Sequence, residues 1–110
     1  MKRREKGAPP GSTAMLVLSL LKGEEMYGYQ IIEELERRSE SVFRLKEGTL
    51  YPLLHSMEQE GLVAAREAQS PSGRPRRYYR ITKEGLRVLE EKTEEWRLYA
   101  HAVSAVLAGG

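Results

Sequence analysis

The segment that most constrains this chain is residues 47–82, where an apolar helical pattern runs directly into a basic hairpin. Leu50, Leu54, Met57 and Gly61 recur at i, i+4, i+7 and i+11, with Leu53 at the edge, which is the spacing of one buried helix face. The helix this predicts covers residues 48–60, and Pro52 then falls in about its first turn, where a missing N–H costs little. Ser70, Pro71, Ser72 and Gly73 form a turn signal between two short segments, 62–68 and 76–82. Only the second is strongly β in composition, with Tyr78, Tyr79, Ile81 and Thr82. A helix followed by a two-stranded, arginine-bearing wing points to duplex DNA as the partner.

The flanks complete a winged helix-turn-helix. Residues 1–11 carry Lys2, Arg3, Arg4 and Lys6 among Gly and Pro without apolar periodicity, and read as a flexible basic arm. Ser12 or Thr13 can cap a first helix to about Leu21, buried by Met15, Val17, Leu18 and Leu21 and stopped by Gly23. A second helix spans about 27–38 on the stripe Ile31, Ile32 and Leu35. Thr82 can cap a long last helix to about Leu107, uninterrupted by Gly or Pro after Gly85. The fold class is thus mainly α (α+β), with residues 12–82 as the winged domain and 83–110 as a C-terminal dimerisation helix.

The last helix has a regular seam. Leu86, Leu89, Thr93, Trp96, Ala100, Val103 and Leu107 are spaced alternately by 3 and 4 residues. Such an a/d repeat favours helix-on-helix pairing. A domain of 110 residues has little core to cover so long a helix, so pairing with a second copy is the economical solution.

Bulk properties exclude several classes. With 40% hydrophobic and 31% charged residues the composition is that of a globular protein rather than a disordered one. No cysteine is present, which removes disulfides and thiolate metal or redox sites and fits the cytoplasm. The apolar run 14–21 is too short to span a bilayer, and Lys22, Gly23, Glu24 and Glu25 follow it where a signal peptide needs a cleavage site, so neither a membrane partner nor a leader is expected. His55 and His101 lack ligands at helical spacing, and no nucleophile–base pair or glycine-rich phosphate loop exists. The reading is therefore no enzyme, no metal and no cofactor.

The net charge of +2 hides a polarised chain. Arg74, Arg76, Arg77 and Arg80 stand without an acid between Ala68 and Lys83, while acids gather at 33–36 and 90–95. Arginine forks suit phosphates and narrow minor grooves, and the alternative is a solvated hairpin tip. The face of the third helix opposite its core stripe presents Gly48, Pro52, His55 and Gln59, flanked by Thr49, Tyr51 and Ser56. Thr49 and Tyr51 could hold phosphates and His55 and Gln59 could face bases, or the face is merely solvated and Tyr51 packs on Leu54. Trp96 with Tyr99 either fills the dimer seam or stacks on a small aromatic effector held between subunits.

Several motifs together are more specific. Residues 26–31 (Met-Tyr-Gly-Tyr-Gln-Ile), 47–54 (Glu-Gly-Thr-Leu-Tyr-Pro-Leu-Leu), 58–63 (Glu-Gln-Glu-Gly-Leu-Val) and 77–85 (Arg-Tyr-Tyr-Arg-Ile-Thr-Lys-Glu-Gly) resemble the PadR family of bacterial transcriptional regulators. The resemblance runs from about Ser12 through the last helix, and matches the short subfamily with a single C-terminal helix. It implies a homodimer that represses a promoter until an effector relieves it; effectors in the family include phenolic acids and multidrug-like aromatics. It places Thr49, Tyr51 and Pro52 at the DNA, with Tyr29 in the family's Gly-Tyr motif and Arg74, Arg76 and Arg77 in the wing; Tyr29 and Lys46 count with them as candidate DNA-binding residues. The rivals are a winged helix that binds protein and a small-molecule binder built on the dimer pocket.

Overall fold

The computed structural model describes residues 12–109, which form four helices and one antiparallel sheet. The arm expected over residues 1–11 lies outside the described residues. Helix α1 (Ser12–Gly23) is central: it packs against the second helix, the last helix and the sheet. A helix with neighbours on several sides needs more than one apolar stripe, so Leu20 joins Val17, Leu18 and Leu21 in the core while Met15 is only partly covered.

Strand β1 (Met26–Tyr27) has no counterpart in the sequence reading, because two residues carry no alternation. Met26 pairs with Tyr79 and Tyr27 with Tyr78, so the sheet has three strands rather than the two of a simple wing. Helix α2 (Gly28–Arg38) follows at once, and the Gln30 side chain accepts from the Tyr27 N–H at 3.1 Å, satisfying a donor at the helix start. Ile31 and Leu35 are buried.

Helix α3 (Glu47–Gln59) buries Leu50, Leu54 and Met57. Gly61, expected to extend that stripe, is instead exposed beyond the helix end at φ +79°, and its N–H bonds to the Glu58 carbonyl while that of Leu62 bonds to Met57. It is a left-handed helix stop, a conformation that costs glycine little. Pro52 lies in the second turn, later than expected, so the Gly48 carbonyl loses its i+4 donor on the exposed face.

Strands β2 (Val63–Gln69) and β3 (Pro75–Ile81) pair from Val63↔Ile81 to Gln69↔Pro75, with β3 central in the order β1-β3-β2. Gly73 turns the tip at φ +88°, and Ser70 Oγ accepts from the Arg74 N–H at 3.2 Å. Tyr79 and Ile81 point to the core and leave Tyr78 and Arg80 on the other face, as period-two alternation requires.

Helix α4 (Lys83–Leu107) begins at Thr82, whose hydroxyl accepts from the Gly85 N–H at 3.0 Å and donates to the Gly61 carbonyl at 2.6 Å. Its first turns lie on the domain, with Leu89 buried in the chain's own core. Beyond Ala100 every described residue is exposed.

Candidate nucleic-acid interface

Lys46, Thr49, Pro52, His55 and Gln59 are all exposed along one side of α3. Neither His55 nor Gln59 has a hydrogen-bond partner among the described residues, so both have free donors and acceptors to offer. Tyr51 is different. Its ring lies against Gly28 at the start of α2, so close that a Cβ at Gly28 would stand 2.2 Å from the hydroxyl and 2.6 Å from Cζ. The ring thus bridges α3 and α2 and stays 43% exposed. Burial first, then the Glu47 carboxylate, raises the phenol above its ordinary 10.0, so at neutral pH it is an O–H donor. Tyr29, 52% exposed, lines an open groove with Ile32, Glu33, Glu36, Arg37 and Glu40, a mostly acidic neighbourhood.

The arginines of the wing divide into separate roles. Arg74 at the tip is exposed and has no ion-pair partner among the described residues. Arg76 is half-buried with its guanidinium 4.0 Å above the Tyr27 ring. Arg77 donates to both carboxylate oxygens of Glu58, at 3.1 and 2.9 Å, and lies 3.8 Å from Glu67. The expected absence of counter-acids is thus true of the local sequence and wrong in space: Glu58 arrives from α3 and Glu67 from β2.

Sequence reasoning passed over Arg66 and Glu25. They pair with each other, Arg66 lies 5.2 Å from the Tyr78 ring centre, and Tyr78 meets Tyr27 edge-on at 5.5 Å. Tyr27, Tyr78 and Arg66 come from three strands and Glu25 from just before β1, and the register Tyr27↔Tyr78↔Arg66 brings them side by side.

The C-terminal aromatics line hollows of their own. Trp96 and Tyr99 stand 5.5 Å apart at 35°. Trp96 lines a cavity of about 270 Å³ with Met15, Leu16 and Phe43, while Tyr99 borders a different hollow with Val103 and Leu107. Phe43, 49% exposed, was legible only as an apolar residue stranded in a polar loop. Of the proposed seam, Leu89 is committed to the chain's own core, whereas Leu86, Trp96, Val103 and Leu107 remain exposed.

The model of the transcriptional regulator PadR-like family matches residues 17–91, the helices, sheet and first turns of α4 just described. The chain belongs to the PadR-like family. A transcriptional regulator of Mycobacterium tuberculosis is 38% identical over 85 residues, covering 77% of this chain and 73% of its own. A PadR family regulator from Eggerthella lenta superposes with a TM-score of 0.77 at 39% identity, covering 88% of this chain and 82% of that one. A PadR-like regulator from Bacillus cereus gives 0.78 at 33% identity over 91% and 95%. PadR-like proteins are transcriptional regulators that act on DNA, not enzymes. No described helix of this PadR-like chain is long and apolar enough to cross a membrane.

Proposed function

We propose that this PadR-like regulator is a homodimeric, sequence-specific repressor of an inverted-repeat operator, released by a small aromatic effector and working in the cytoplasm. Residues 12–82 read the duplex, residues 83–110 pair the subunits, and the basic arm at 1–11 adds phosphate contacts. The observation that carries the reading is the exposed polar side of α3, flanked by a wing whose tip holds Arg74, exposed and without an ion-pair partner among the described residues. A helix of that kind fits the major groove, and an arginine at a hairpin tip fits the phosphates or the narrow groove beside it.

Support for pairing comes from α4. Trp96, Leu98, Val103, Val106 and Leu107 are 41%, 63%, 37%, 77% and 79% exposed, an apolar display that a single chain leaves in water. The cavity beside Trp96 favours an effector role for that indole, because an aromatic wall beside apolar Met15 and Leu16 suits a planar guest.

Arg74→Ala should weaken binding to every duplex alike and reduce the salt slope by about one. His55→Ala or Gln59→Ala should instead change base preference, at about 1–3 kcal/mol for each position read. Gel-shift titration across a salt series, with duplexes selected from a random pool, measures both. Unchanged affinity and slope in Arg74→Ala would remove the wing from the interface.

A further inference from the structure

We propose that Arg77 is a positioning residue for DNA recognition: a strut that holds the wing at a set distance from α3, rather than a phosphate anchor. The inference rests on the DNA-binding reading above and assigns one of its arginines a different task. The Arg77 guanidinium meets two elements besides its own strand. It donates to both oxygens of Glu58 in the last turn of α3, stands near Glu67 on β2, and lies 5.9 Å from the centre of the buried Tyr79 ring. Among the described residues, no other side-chain hydrogen bond joins α3 to β2 or β3.

Position makes that single link matter. Arg77 sits two residues inside the start of β3, where the hairpin leaves the body of the domain, and Arg74 hangs beyond it. Glu58 is the immediate neighbour of Gln59 and lies on the same helix as His55. The strut therefore spans from the base-facing end of α3 to the base of the tip, and its length sets how far apart the two contacts with the duplex lie. Exposed pairs contribute little to global stability, so an effect on geometry rather than on folding is the expected signature. Both bonds to Glu58 come from Nη2, so Nε and Nη1 keep N–H donors, but a phosphate drawn to them would stand beside the Glu58 and Glu67 carboxylates, whereas Arg74 has no acid beside it among the described residues.

Two measurements test the strut. The chain contains no cysteine, so Ser72→Cys and Glu60→Cys accept spin labels cleanly. Labelled subunits diluted into unlabelled protein report the distance from wing tip to helix end without DNA. Arg77→Ala and Glu58→Ala should each broaden that distribution; unchanged widths in both overturn the proposal, whether or not the protein binds DNA. In the second measurement, affinities are taken for a duplex selected from a random pool and for its scrambled version. The strut predicts that each single variant lowers the selected-to-scrambled ratio by about two- to fivefold, with the double variant no worse than either. Tighter binding to both duplexes in Glu58→Ala, with a salt slope reduced by about one in Arg77→Ala, would make Arg77 a phosphate anchor and overturn the strut. If no duplex is selected at all, the DNA reading fails and the label distances alone decide the strut.

Discussion

At the scale of single residues, the contact between Tyr51 and Gly28 joins two sequence motifs that stand more than twenty positions apart. A methyl group on Gly28 would occupy the space of the phenol, 2.2 Å from its oxygen. The obstructed atoms are the far end of a half-exposed side chain, so the ring can swing away at small cost. Gly28→Ala should therefore change stability by less than about 1 kcal/mol. It should nevertheless weaken DNA binding severalfold, because Tyr51 would leave its place on α3. Urea melts and gel-shift titrations of the same preparation separate the two effects; equal losses in both would mean that Gly28 serves packing alone. The candidates His55 and Gln59 were legible because helical spacing shows which side chains share a face. The partners of Tyr51 and Arg77 were not, since Gly28 and Glu58 reach them only through tertiary packing. Arg77 is the sharper lesson: a run of arginines without local acids says nothing about acids brought from another element.

At the scale of elements, the long periodic helices were legible almost to the residue, as were the hairpin and its turn. Strand β1 was not, because two residues have no pattern of their own and exist as a strand only through Tyr78 and Tyr79. The junction between α3 and α4 was also hidden. Thr82 caps α4 while donating to Gly61, and the Thr82 N–H bonds to the Leu62 carbonyl at 3.0 Å, so the end of α3 and the start of α4 form one knot. A Cβ on Gly85 would meet that same Leu62 carbonyl at 2.1 Å and Ile81 Cγ1 at 2.8 Å. Helix propensity alone would make alanine better than glycine by about 1 kcal/mol. The obstruction here is backbone, which cannot swing aside, and overpacking of that kind costs about 1–3 kcal/mol or more. Gly85→Ala should therefore destabilise by about 1–2 kcal/mol net, read as a lower urea midpoint at constant slope. A raised midpoint would show the junction to be loose.

At the scale of the whole molecule, the dominant feature is a helix of 25 residues, about 37 Å long, that is exposed throughout beyond Ala100. The chain extends 58 Å along its longest axis and about half that across the others. The heptad seam was legible as a pattern, but which of its members serve the chain's own core was not: Leu89 is claimed by that core, and the outer positions stay bare. Pairing through those outer positions would bring two α3 helices to one duplex. Val103→Asp should then shift sedimentation from dimer to monomer while leaving the winged domain folded, and should weaken operator binding by about a hundredfold as the second half-site is lost. A dimer that survives this change would move the interface elsewhere. The central claim, that two copies read one duplex together, is tested most directly by hydroxyl-radical footprinting on a duplex selected from a random pool. Two protected patches related by a two-fold axis and centred about 34 Å apart are expected. A single patch without a symmetric mate would contradict it.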